Sequence, residues 1–304
     1  MEVILNSNIL IKKYDYNTLK NDLMKIKNEY SFLQTEIIGE STLKEKIICI
    51  KIGEGKRKLM INASHHANEW ITSLVVMLFL EKYLYCYKNK IKYKNYDIQK
   101  LWKKATIYIV PMVNPDGVNF SLGKLKNKYY LEKWKEYSNI LDRWKANING
   151  VDLNLNYPAG WEIAVSNKKK LGIYNAGLRD YPGNKSLSEI ETINMVNLTR
   201  KYLFDMTISL HSQGREIYGP NKKENKKAYE IGKKFEKNTG YYYTSPSYMS
   251  SFAGYKDWFI QEYSKPAYTI ELGKGEEGKA LSENQAQTIL QEMEKIFLIS
   301  IENI

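Results

Sequence analysis

The chain contains three histidines, and each lies at or just after a stretch of residues whose apolar pattern predicts a β-strand. His66 follows residues 58–63 and is three positions from Glu69, whereas His211 ends residues 206–211. Two imidazole nitrogens and one carboxylate are ligands typical of catalytic zinc, which keeps one coordination position open for water. We therefore predict that His66, Glu69 and His211 bind one Zn2+ ion and that the protein is a hydrolase.

The spacing of His66 and Glu69 has a second interpretation, because a polar pair at the start of any helix produces it. Such a pair would mark only a solvated helix N-terminus. The position of His211 after a separate strand favours the metal site. The neighbouring His65 is four positions from Glu69, and we assign it to packing or hydrogen bonding beside the site.

Glu271 lies inside the apolar stretch 267–272, where a carboxylate is costly unless it faces a site or a partner. A zinc hydrolase needs a general base that takes a proton from water, and a cation that stabilises the negative charge developing on the carbonyl oxygen. Glu271 is our candidate for the base. The alternative is a structural ion pair between Glu271 and a buried lysine.

The composition is that of a globular protein, with 43% hydrophobic residues and a net charge of +12. The basic excess comes almost entirely from scattered lysines, because the chain has only five arginines. Without arginine clusters or a known binding module, we expect no nucleic-acid partner. Attraction to an acidic polymer such as a cell wall stays open. No protein partner is inferable from the sequence.

The compartment is predicted from the N-terminus and from the cysteines. The first residues lack a basic segment, a long apolar core and a cleavage site, so we predict no signal peptide. The longest apolar run, residues 74–80, is too short to cross a bilayer, and we expect no membrane association. Cys49 and Cys86 lie in apolar runs and are predicted to be core residues rather than a disulfide framework. We expect a cytoplasmic protein.

Strand and helix patterns alternate along the chain, which predicts the fold class. Strands are predicted at residues 46–52, 58–63, 105–110, 206–210 and 267–272, and helices at 17–30, 68–87, 187–203, 252–263 and 283–301. We predict an α/β fold with a central mixed, mostly parallel sheet flanked by helices. Residues 1–304 would form a single catalytic domain, with about residues 1–13 as a short N-terminal extension. In such sheets ligands bind beyond the carboxyl ends of strands.

Several short motifs in order resemble those of the zinc metallocarboxypeptidase family. They are Ile38-Gly-Glu-Ser41, His66-Ala-Asn-Glu69, Val113-Asn-Pro-Asp-Gly117, Gly150-Val-Asp-Leu-Asn154, Ser186-Leu-Ser-Glu-Ile-Glu-Thr192, Leu210-His-Ser212, Asp257-Trp258 and Thr269-Ile-Glu-Leu272. The resemblance covers nearly all of the chain. It implies the fold of that family, zinc bound by His66, Glu69 and His211, Glu271 as the general base, and Asn154 as a residue that holds the substrate.

Two positions differ from the pattern of the ordinary carboxypeptidases. Leu155 follows Asn154, where those enzymes have an arginine that clamps the C-terminal carboxylate of the substrate, a function that leucine cannot perform. The cation that stabilises the oxyanion is also changed. Lys145 occupies the corresponding position, and Arg143 beside it is the rival; the alternative for Arg143 is a surface charge.

Both differences fit one branch of the family. The stretches 144–154, 157–161, 179–183, 211–218 and 253–258 resemble the bacterial γ-D-glutamyl-L-diamino acid peptidases, which cut peptidoglycan stem peptides between D-glutamate and diaminopimelate or lysine. The resemblance implies a zinc peptidase that acts on a peptide from the cell wall. The alternatives are a carboxypeptidase that binds the terminal carboxylate through Arg179 or Arg215, and a wall-peptide binding protein without activity.

Three further residues are candidates for binding the substrate. Lys256 precedes Asp257-Trp258, at the place that lines the specificity pocket in family members, and a cation there would suit the second carboxylate of diaminopimelate. Arg215 is a second candidate for binding a carboxylate. Tyr248 is the nearest match to the mobile active-site tyrosine of the family, although its spacing from Asp257 is one residue longer; the alternative is an aromatic residue of a loop without a catalytic role.

Overall fold

The computed structural model describes residues 8–304, and within them eight strands form one sheet. The strands are β1 (Gln34–Glu40), β2 (Lys46–Ile52), β3 (Arg57–Ala63), β4 (Ala105–Val110), β5 (Met206–Ser212), β6 (Glu216–Tyr218), β7 (Tyr242–Thr244) and β8 (Ala267–Leu272). Their order across the sheet is β1-β2-β4-β3-β5-β8-β6-β7. The sheet is mixed, with parallel pairing at its centre and antiparallel pairing at β1–β2, β2–β4 and β6–β8.

Helices cover both faces of the sheet, as the predicted α/β class requires. Among the described residues they are α1 (Tyr16–Glu29), α2 (Ile71–Lys88), α3 (Ile98–Lys104), α4 (Pro115–Ser121), α5 (Lys128–Lys133), α6 (Trp161–Lys170), α7 (Ile190–Tyr202), α8 (Lys226–Thr239), α9 (Tyr255–Tyr263) and α10 (Ala286–Asn303). Short 3-10 turns connect several of them.

Alternation along the central strands separates two hydrophobic cores. Leu59 and Ile61 of β3 pack in the core that contains α1, α2 and α10, whereas Met60 packs in the core with α7 and α9. Successive side chains of a strand point to opposite faces, so one apolar strand supplies both layers. Cys49 and Cys86 are buried and unbonded, as the sequence predicts.

Helix α2 is the most deeply buried helix of the first core. By length and composition alone, the segment Ala67–Lys88 is apolar and long enough to cross a membrane. However, most of this segment is buried inside the fold. Its apolar surface is therefore used in packing against the sheet and α10.

The described residues include part of the predicted N-terminal extension. Residues 8–13 lie along the domain, where Ile9 is buried in the first core and the backbone nitrogen of Asn8 donates a 3.0 Å hydrogen bond to Glu81 Oε1. The rest of the predicted extension, residues 1–7, lies outside the described residues.

Candidate active site

The turn after β3 brings His66 and Glu69 to one point. Ser64 adopts a left-handed backbone conformation with φ of 50°. Its backbone nitrogen donates to Thr72 Oγ1 at 2.9 Å, and its hydroxyl contacts the Glu69 carbonyl oxygen at 3.2 Å. The chain then forms a 3-10 turn at Ala67–Glu69 before α2. These bonds fix a sharp strand-to-helix connection, which places both side chains beyond the carboxyl end of β3.

His66, Glu69 and His211 form the one buried cluster among the described residues whose donor atoms suit a metal ion. His66 Nδ1 lies 2.9 Å from Glu69 Oε1, and His211 Nδ1 lies 3.0 Å from Glu69 Oε2. The two Nδ1 atoms are 3.1 Å apart. Two nitrogens and a carboxylate converging in this way fit zinc.

Asp152 fixes the orientation of His66. Its Oδ1 lies 3.0 Å from His66 Nε2. An aspartate oxygen can only accept when ionised, so Nε2 carries the hydrogen and the lone pair of Nδ1 points into the cluster. The same carboxylate lies 2.8 Å from Lys145 Nζ through its Oδ2. Asp152 therefore positions both a candidate zinc ligand and a candidate catalytic cation.

The charges of the cluster shift its titration in the metal-free protein. Burial lowers the pKa of His66, but the carboxylates of Glu69 and Asp152 together outweigh it and raise the pKa of His66 to about 9. Burial alone would raise the pKa of Glu69, yet His66 and His211 hold it well below its usual range. The site is therefore built to keep a carboxylate ionised in a buried place, as a cation site requires.

Glu271 lies beside the cluster because of strand register. It is paired with His211 across the parallel strands β5 and β8, and it lines the same pocket as His66. Burial, followed by repulsion from the Glu69 carboxylate, raises the pKa of Glu271 to about 8. A carboxylate whose pKa lies near neutrality is suited to accept and return a proton.

The structure separates the two rival cations. Lys145 lines the pocket, and the attraction of Asp152 and Asp180 outweighs burial to raise the pKa of Lys145. Arg143 lies outside the pocket lining. Its guanidinium pairs with Glu276 and donates a 3.1 Å hydrogen bond to the Glu277 carbonyl oxygen.

Two of the four predicted substrate-binding residues line the pocket, which has a volume of about 300 Å³. Asn154 is held by its Oδ1, which accepts a 3.1 Å hydrogen bond from the backbone nitrogen of Tyr255. Lys256 also lines the pocket, but its ammonium is paired with Asp257 in a close contact. Leu155 adds an apolar wall next to Asn154.

The other two predicted substrate-binding residues lie elsewhere. Arg215 points away from the pocket, with Nη1 at 2.7 Å from Glu292 Oε1 and its guanidinium over the ring of Tyr241. A loop residue in a left-handed conformation turns its side chain in a direction that the sequence does not reveal. Tyr248 is 65% exposed and packs edge-to-face on Phe252, outside the pocket lining.

His65 packs beside the site, as predicted. Its Nε2 lies 2.9 Å from the hydroxyl of Tyr157, and its ring stacks on that of His211 at 5.9 Å between centroids. Burial lowers the pKa of His65 well below its usual value. The neutral ring therefore supports His211 without adding charge.

The charged pocket residues to which the sequence analysis assigned no role include Asp152, Asp180 and Lys168. Asp152 had a detectable signal, because it is a lone acid between apolar residues in the run 150–154. Lys168 had none, since it lies in a run of three lysines of which Lys169 and Lys170 are exposed. Only the direction of helix α6 distinguishes it.

Comparison with known proteins agrees with the predicted metal site. A family model described as zinc carboxypeptidase matches residues 19–296. The chain belongs to this family. Gamma-D-glutamyl-L-diamino acid endopeptidase 1 from Lysinibacillus sphaericus is 39% identical over 297 residues, which are 95% of this chain and 72% of that protein. The protein YqgT of Bacillus subtilis (strain 168) is 36% identical over 272 residues, 87% of this chain and 71% of the relative.

Solved structures agree on the fold. The structure of thrombin activatable fibrinolysis inhibitor superposes with a TM-score of 0.74 at 20% identity, covering 96% of this chain and 74% of that one. Because the chain belongs to this family and contains the cluster of metal-binding side chains, it is a zinc metallopeptidase. It uses one Zn2+ ion and acts on a peptide substrate. The predicted family and fold are thereby confirmed.

Proposed function

We propose that the protein hydrolyses the bond between a γ-linked D-glutamyl residue and a diamino acid in peptides derived from bacterial peptidoglycan. The observation that carries this proposal is the 39% identity, over 95% of the chain, to a γ-D-glutamyl-L-diamino acid endopeptidase. The pocket supports it, because Leu155 stands beside Asn154 and provides no charge for a terminal carboxylate at that position.

His66, Glu69 and His211 would hold the zinc ion. When bound, zinc supplies Lewis-acid polarisation of the scissile carbonyl and of water. Glu271 accepts the proton of the attacking water and returns it to the amine of the diamino acid as the peptide bond breaks.

Lys145 lies where its charge serves the transition state. Its ammonium, held by Asp152 at 2.8 Å, stabilises the negative charge that develops on the carbonyl oxygen. Asn154 hydrogen-bonds the substrate through its amide nitrogen, since its Oδ1 is occupied by the Tyr255 backbone. Arg143, predicted as the rival oxyanion cation, lies outside the pocket lining, as do Arg215 and Tyr248, which were predicted to contact the substrate.

The test uses zinc-loaded protein and L-Ala-γ-D-Glu-meso-diaminopimelate, with products identified by mass spectrometry. Wild type should release L-Ala-D-Glu and diaminopimelate. Glu271→Gln should keep its zinc and lose turnover by about 10²–10⁴-fold, whereas Glu262→Gln, an exposed matched control, should match wild type. Zinc-loaded wild type that leaves the γ-bond intact but trims ordinary C-terminal residues would support the carboxypeptidase alternative instead.

A cytoplasmic location belongs to the same proposal. The two buried, unbonded cysteines suit a reducing compartment. Cell fractionation with antibody detection tests it, and recovery of the protein in the wall or medium fraction would contradict it.

A further inference from the structure

A group of basic side chains shares too few acidic partners at one side of the pocket. Asp180 Oδ1 lies 3.0 Å from Lys168 Nζ and 3.9 Å from Lys145 Nζ, and its Oδ2 lies 2.9 Å from Arg179 Nε. Lys145 is also paired with Asp152. Three cations therefore share two carboxylates, which leaves one net positive charge on this group, called here the Asp180 cluster.

Lys168 is sheltered from water, and the cluster has unused donors. The side chain of Lys168 is 7% exposed, and Asp180 is the single acceptor that the described residues offer to its ammonium. Arg179 contacts Asp180 through Nε, and no described residue accepts a hydrogen bond from its two terminal nitrogens. A buried ammonium with one partner is costly unless a further acceptor reaches it. The geometry points to an anion that completes this group.

The remaining pocket lysine differs from the cluster. Lys256 is matched one to one by Asp257, so that pair carries no net charge. Both Lys168 and Arg179 line the same cavity as His66 and Glu271. The net positive charge of the Asp180 cluster therefore lies inside the cavity, next to Asp180, whereas the part of the cavity next to Asp257 is neutral.

We propose that Lys168 and Arg179 form a binding site for the free α-carboxylate of the γ-linked glutamyl residue, on the acyl side of the scissile bond. This inference rests on the proposed function. An α-linked peptide has no such group, because its α-carboxyl forms the peptide bond. A γ-linked residue keeps that carboxylate a few bonds from the scissile carbonyl. One net positive charge and a planar guanidinium suit one carboxylate.

The experiment compares two substrates that differ at this group alone. They are L-Ala-γ-D-Glu-L-Lys and its counterpart in which the glutamyl α-carboxylate is a carboxamide. Zinc-loaded wild type should prefer the acid by about 10–100-fold in kcat/KM, the effect of one charged hydrogen-bonded contact. Lys168→Met and Arg179→Gln should each lower kcat/KM for the acid and leave that for the amide within about threefold. The exposed neighbour Lys169→Met is the matched control and should keep the wild-type preference.

Equal losses on both substrates would overturn the inference, because they indicate a structural role through Asp180. A wild type that cleaves acid and amide equally would overturn it as well. If Lys168→Met does not fold, Arg179→Gln decides, since that side chain is 39% exposed. A third substrate, in which the C-terminal lysine carboxylate is amidated instead, tests whether Lys168 and Arg179 bind that carboxylate rather than the glutamyl one. If the variants change sensitivity only to that group, the acyl-side assignment fails.

A binding measurement distinguishes failure of the proposed peptidase activity from failure of the carboxylate site. If zinc-loaded wild type cleaves neither substrate, calorimetry with the dipeptides L-Ala-D-Glu and L-Ala-D-Glu α-amide still measures the site. Tighter binding of the acid that is lost in Arg179→Gln would support the anion site without the peptidase. Equal binding of both dipeptides would overturn the site.

Discussion

His66 Nε2 and Asp152 Oδ1 lie 3.0 Å apart although the two residues are 86 positions apart in the sequence. The contact fixes the imidazole tautomer and directs Nδ1 toward Glu69 and His211. Carboxylates that orient a metal-binding histidine in this way influence both affinity and activity. The pairing also holds Lys145 in the pocket, so a single buried acid connects the metal cluster with the candidate oxyanion cation.

Asp152→Asn should weaken zinc binding by about 10–100-fold, because the amide no longer favours a hydrogen on Nε2 of His66. Chelator competition measures the dissociation constant. Asp142→Asn is the matched control, since Asp142 is an exposed acid near Lys279. The zinc affinity of this variant should equal that of wild type. Unaltered zinc affinity in Asp152→Asn would contradict the orienting role.

Replacing Lys145 and replacing Arg143 should have different effects on turnover. Lys145→Met should lower kcat by about 10²–10³-fold, the effect of removing one oxyanion partner. Arg143→Gln should stay within about threefold of wild type, because its guanidinium is used by Glu276 and the Glu277 carbonyl outside the pocket. Steady-state kinetics on the γ-glutamyl tripeptide distinguishes them, and a larger loss in Arg143→Gln would reverse the assignment.

Zinc affinity should rise with pH. Burial lowers the pKa of His66, but the Glu69 and Asp152 carboxylates together raise it to about 9 in the metal-free protein. Below that pH zinc must therefore displace a proton from the ring. The dissociation constant should therefore increase about tenfold for each unit by which the pH falls below about 9. Chelator competition across this range gives the slope, and calorimetry in two buffers counts the released proton. A pH-independent dissociation constant would show that His66 is already neutral.

The core under α2 should control stability. Phe79 and Phe297 are fully buried with ring centroids 4.5 Å apart. Phe297→Ala should lower the free energy of unfolding by about 3–5 kcal/mol. Met24→Ala, at a position 58% exposed on α1, should change it by less than about 0.5 kcal/mol. Both are measured by denaturant titration at one fixed excess of zinc, because bound zinc adds to stability. Equal effects would show that the two positions are not packed as described.

Elements with strong apolar patterns were predictable. The strands β2, β4 and β8 begin and end where the sequence places them, because each is a short run rich in apolar residues, most of which the fold buries. The sequence analysis missed strands β1, β6 and β7 and helices α3, α4, α5, α6 and α8. Strands of three residues, such as β6 and β7, are too short to show an alternating pattern. Helix α8 contains five lysines among its 14 residues, which makes its apolar positions hard to recognise in the sequence.

The sequence by itself determined which residue types could bind zinc and which acid could act as a base, because spacing and strand ends limit where such groups meet. Only the tertiary structure decided which cations face the pocket. Lys145 and Arg143 are two positions apart but point to different partners, and Lys168 differs from Lys169 only in the face of α6 that it occupies. Side-chain direction in loops and the distant partners Asp152 and Asp180 set this outcome, since both depend on contacts between segments far apart in the chain.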